Sequence, residues 1–77
     1  MPRLHIERDS NYRLNALIRG EMASQGWDIA RAAKAARCSV GTLYKLFGAP
    51  MEHMPQAMRL LQALSVPIED VRQAINY

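Results

Sequence analysis

Seventy-seven residues confine the chain to one domain, which buries roughly 60% of the surface its unfolded form exposes. Hydrophobic residues at 49% and charged ones at 22% exclude a disordered tail, and the longest uncharged stretches fall well short of the roughly 20 apolar residues of a membrane span. The net charge of +3 is modest, the single Cys38 excludes an internal disulfide, and His5 and His53 are too isolated to hold a metal.

The opening MPRLHIERDS lacks the apolar run of a signal peptide, so a cytoplasmic protein is expected. Within it, RLHIE alternates polar and apolar residues with the two-residue period of a strand. Residues 1–9 are therefore predicted to be an extended N-terminal arm preceding a domain over 10–77. Leu4 and Ile6 favour an arm packed on that domain. The other readings are a reach into a minor groove with Arg3 and Arg8, or pairing with the same stretch of a second copy.

Asp9, Ser10 and Asn11 offer helix-capping oxygens, and Leu14, Leu17, Ile18 and Met22 follow at helical spacing, predicting a first helix from about 11 to 25 that Gly26 stops. Asp28 can cap a second helix whose inward stripe is Ile29, Ala32, Ala33 and Ala36. Side chains that small let another backbone approach closely, and the next helix is the obvious partner. Cys38 lies in a short turn, where it behaves as a small hydrophobe. Ser39 can cap a third helix over 40–47 with Leu43, Leu46 and Phe47 inward, ended by Gly48, Ala49 and Pro50.

GAPMEHMP reads as a loop marked by Pro50 and Pro55. A fourth helix starts near Pro55, with Met58, Leu61 and Leu64 inward and Leu60 flanking. Pro67 opens a short fifth helix, in which Glu69 and Asp70 suit the positive end of the helix dipole and Ile68, Val71 and Ile75 form the apolar stripe. The fold class is all-α, a bundle of four to five helices.

Charge is unevenly spread along the chain. In residues 1–30 the four arginines are cancelled by four acids, and residues 46–77 carry a slight acidic excess. Residues 31–45 hold Arg31, Lys34, Arg37 and Lys45 with no acid, as on a surface that meets a polyanion. The same stretch spans two short helices, a tight turn and small packing residues. That is the pattern of a helix-turn-helix over about 28–47, whose second helix enters the DNA major groove.

On these residues the chain resembles the helix-turn-helix domain of the lambda-repressor, Cro and Xre type found in phage and bacterial regulators. The similarity covers roughly residues 12–72, including MPQAMRLLQALSVPIEDV, which is similar to that family's fourth helix and the lead-in to its fifth. SVGTLYKLF is also similar to the recognition helix of TetR-type repressors, whose ligand-binding domain 77 residues cannot accommodate. Two positions depart from the pattern. Arg37 stands where the family usually has a left-handed glycine, which points to a turn of different shape, and Ile29 stands where a polar residue often lies near a phosphate.

The resemblance implies a compact lambda-repressor-like bundle and a sequence-specific double-stranded-DNA-binding transcriptional regulator, a repressor of phage or prophage type. It implies base contacts from Ser39, Val40, Gly41, Thr42 and Lys45, and phosphate contacts from Arg31, Lys34, Arg37, Tyr44 and His53. Thr42 can hydrogen-bond base edges, Val40 can touch a thymine methyl, Gly41 permits close approach and Lys45 can reach guanine or phosphate. A homodimer is expected, with helix 5 and the tail (Val71, Ile75, Tyr77) as its interface and the N-terminal arm as the rival.

No catalytic pair or glycine-rich phosphate loop occurs in plausible context, so neither an enzyme nor a cofactor, metal, membrane or small-molecule ligand is expected. Met51, Met54 and Met58 could offer a soft binding surface, though Met58 at helical spacing suits a core. The competing reading is a protein-binding module on the same scaffold, such as an antitoxin or a phage inhibitor of a host factor.

Overall fold

The computed structural model describes the backbone of residues 6–76 and the side chains of residues 10–75. These residues form five α-helices, α1 (Ile6–Gln25), α2 (Ile29–Ala36), α3 (Val40–Gly48), α4 (Met54–Ala63) and α5 (Ile68–Asn76), with a 3-10 turn at Pro50–His53 between α3 and α4 and no strand. None of the helices is long and apolar enough to cross a membrane.

α1 begins at Ile6, so residues 6–9, expected to be extended, are helical. Residues 1–5 and Tyr77 lie outside the described residues. Two of the anticipated caps, Ser10 and Asn11, bond to other elements instead. The Ser10 hydroxyl, 2% exposed, donates to the Ile75 carbonyl at 2.8 Å. The Asn11 side-chain oxygen accepts the Met51 N–H at 2.8 Å. The helical backbone runs back past both residues.

Three helix ends share one hydrogen-bond pattern. After α1, the Trp27 N–H reaches back to the Met22 carbonyl at 2.9 Å and the Gly26 N–H to Ala23 at 3.2 Å; after α2, Cys38 bonds Ala33 at 3.0 Å and Arg37 bonds Lys34 at 3.1 Å; after α4, Val66 bonds Leu61 and Ser65 bonds Gln62, both at 3.0 Å. The pattern needs a left-handed residue at its corner. Gly26 (φ 72°) adopts that conformation without strain, whereas Arg37 (φ 61°) and Ser65 (φ 62°) are forced into it. The turn after α2 therefore keeps the shape a glycine would give it, contrary to the altered shape anticipated from Arg37.

The core gathers Leu14, Ile18, Leu43, Leu46, Leu60, Leu61 and Leu64, each no more than 1% exposed. Leu60, expected at the flank, is fully buried, Ala57 joins it, and Met58 is only half-buried. The alanine stripe of α2 packs most extensively on α4, and less on α3. Close approach there lets Arg59 Nε of α4 donate to the Ala36 carbonyl at 3.0 Å. α5 packs on α1, burying Val71 and Ala74, while Ile68 at its first position is 51% exposed.

Replacing Ser65 by Gly removes a side chain from a left-handed position. Urea denaturation should show a gain of about 0.5–1 kcal/mol with unchanged slope.

Candidate nucleic-acid interface

α2, the turn Arg37–Ser39 and α3 form one continuous unit, held at each helix start by a side-chain cap. Asp28 accepts the Arg31 N–H at 2.8 Å. Ser39 Oγ accepts the Thr42 N–H at 3.1 Å and its proton goes to Thr42 Oγ1 at 3.0 Å. Ser39 is thereby committed to its own helix, and the half-buried Thr42 keeps a hydroxyl proton that it can donate.

α3 divides cleanly. Leu43 and Leu46 are fully buried and Phe47 is 7% exposed, whereas Val40 is 44% and Tyr44 57% exposed, with Gly41 and Lys45 also exposed. A Cβ built on Gly41 would have only Ser39 Oγ nearby, at 3.9 Å, so the protein's own packing does not require glycine there. Tyr44 stands edge-on to Phe47, ring centroids 6.1 Å apart and planes at 84°, which limits the directions its hydroxyl can take.

The four cations of residues 31–45 are all exposed. Lys34 and Arg37 close α2 and Lys45 lies in the last turn of α3. The Arg31 guanidinium is laid over Trp27, 4.5 Å from the ring centroid, a contact worth about 0.5–1 kcal/mol at an exposed site. His53, half-buried, ends the 3-10 turn after α3. Cys38 is a half-buried free thiol packed at the core margin. No group of three or more His, Cys, Asp and Glu side chains that could hold a metal ion gathers among the described residues.

Two residues near this unit were not singled out in the sequence. Arg59, from α4, bonds the last carbonyl of α2. Arg19, from α1, lies over the Phe47 ring at 4.5 Å. No sequence signal marks either one, since Arg19 belongs to a stretch whose charges cancel and both reach the unit only through tertiary packing.

Of the residues anticipated for self-association, Val71 and Ile75 do not present a surface. Val71 is 3% exposed within its own core and is withdrawn from any interface, because a partner cannot reach it. Ile75 is half-buried against the same core, and Tyr77 is outside the described residues. What α5 does present is an open groove of about 450 Å³ shared with α1, lined by Tyr12, Leu17, Asp70 and Gln73 among others.

No protein-family model matches the chain, and neither the curated proteins nor the solved structures provide a significant match.

Ser39→Ala removes the cap of α3. It should destabilise the fold by about 1 kcal/mol, read as a fall in Tm of roughly 4–8 °C.

Proposed function

We propose that the chain is a helix-turn-helix regulator that binds double-stranded DNA, with α3 in the major groove. The observation that carries this reading is the division of α3. One stripe is anchored in the core and the opposite one is free, with Val40, Gly41, Tyr44 and Lys45 exposed beside the cations of α2 and no acid between residues 31 and 45. A segment that must enter a groove about 12 Å wide needs that separation of anchored and free faces.

In this reading Gly41 lets α3 approach the base edges, Thr42 donates its remaining proton, Val40 meets a thymine methyl, and Lys45 reaches guanine or phosphate. Arg31, Lys34, Arg37, Tyr44 and His53 serve the phosphates, which fix register rather than sequence. Ser39, spent on its cap, contributes through α3 rather than by its own base contact. A phage-type repressor acting as a homodimer remains the working form. Because Val71 is buried, the second copy would use the α1/α5 groove, where Tyr12 is 76% exposed.

A second reading, a protein-binding module on the same scaffold, is favoured by the make-up of the free face: Val40 and Tyr44 dominate it, Lys45 is its one full charge, and it has no Asn, Gln or Arg.

Titration of duplex DNA across salt concentrations separates the two. A DNA binder should lose log affinity linearly in log salt, with slope about −0.9 per neutralised phosphate. Lys45→Ala should weaken binding, and Gly41→Ala should bind less tightly while folding up to about 1 kcal/mol more stably. No salt-dependent duplex affinity at low salt sinks the reading and leaves the protein-binding module.

A further inference from the structure

We propose that Arg19 of α1 is a backbone-phosphate contact of the same DNA-binding face, held ready for it by the Phe47 ring. The inference rests on the DNA-binding reading and adds to it a residue 20 or more positions away in the chain from α3.

Arg19 is exposed, with its guanidinium 4.5 Å above the centroid of Phe47. Phe47 is itself a residue of α3, and the Tyr44 ring lies 6.1 Å from it on an edge. Phe47 thus contacts both the Arg19 guanidinium and the exposed Tyr44. A guanidinium held over a ring by its charge keeps N–H donors for other partners, in the planar fork that matches two phosphate oxygens. The contact also fixes a side chain that would otherwise lose much rotational freedom on binding.

Among the described residues Arg19 makes no salt bridge. Glu21 takes a hydrogen bond from Gln25 at 3.2 Å, and Asp28 is engaged as the cap of α2. Arg31 repeats the arrangement over Trp27 at 4.5 Å. Arg19 and Trp27 line one cleft of about 320 Å³ between the end of α1 and the start of α2. The Arg19 guanidinium therefore lines that cleft, and Arg31 lies over the Trp27 that forms part of its wall. Because the Asp28 carboxylate also lines it, an anion is gripped at the rim and not drawn inside. Together with the exposed Arg31, Lys34, Arg37 and Lys45, an exposed Arg19 adds a cation suited to a linear polyanion such as a phosphate backbone.

The test compares wild type, Arg19→Ala, Arg19→Lys and Arg72→Ala on one duplex of random sequence and on one selected by wild-type binding, across salt concentrations. Arg72, exposed on α5, controls for loss of one charge elsewhere. Arg19→Ala should weaken binding to both duplexes by the same factor, roughly 3- to 10-fold, and reduce the magnitude of the salt slope by about 0.9. Arg19→Lys should restore the slope but only part of the affinity, and Arg72→Ala should change neither. A merely structural role would alter thermal unfolding and leave the slope in place. An unchanged slope for Arg19→Ala, with wild type still binding, overturns the assignment of Arg19 alone. Absence of salt-dependent binding by wild type overturns the DNA reading and this inference with it.

Discussion

Helices of eight to ten residues leave a large share of their backbone groups without partners inside the helix. In this protein carbonyls at the C-terminal ends of α2, α4 and α5 accept hydrogen bonds from side chains of neighbouring helices. Arg59 takes the last carbonyl of α2, Gln25 of α1 takes the Leu64 carbonyl after α4 at 2.7 Å, and Ser10 and Arg13 of α1 take the carbonyls of Ile75 and Ala74 at 2.8 and 3.1 Å. The arrangement of short helices is therefore set by directed bonds as well as by the apolar core. α1, at 20 residues, is the long element to which two of the others are tied.

This explains which parts of the fold could be read in advance. Asp28 and Ser39 cap the helices they precede because both bonds close within three residues, and the stripes of α2 and α3 follow from local spacing. The start of α1 was missed because Ser10 and Asn11 have the chemistry of caps but bond to residues 65 and 40 positions away. No local pattern reports that. Ile68 shows a different limit. Its spacing to Val71 and Ile75 points it inward, but spacing gives direction alone and not the reach of the neighbouring element, and at the first position of α5 it is half-exposed.

The same distinction divides the candidate site. Its outward residues on α3 were legible, since burying Leu43, Leu46 and Phe47 leaves the remaining positions to face solvent. Arg19 was not, because its relation to Phe47 exists only once α1 and α3 are packed. Charge counted along the chain cancels Arg19 against nearby acids, whereas in space it makes no salt bridge with any described residue and lies over Phe47. The free face of α3 is short of groups that form paired hydrogen bonds to bases, and cations border it. In a DNA complex such a surface would draw more of its affinity from the backbone than from base edges.

The two bonds that join α1 to α5 span 65 and 61 residues, and they have a consequence for how the molecule is made. At about 5–20 residues per second on the ribosome, α1 emerges seconds before the helix that covers Leu14 and Leu17 exists. Closing so long a loop is entropically costly until the intervening helices have shortened it. The α2 to α4 segment, whose contacts are nearer in sequence, is thus free to assemble first, and the union of α1 with α5 becomes the later step.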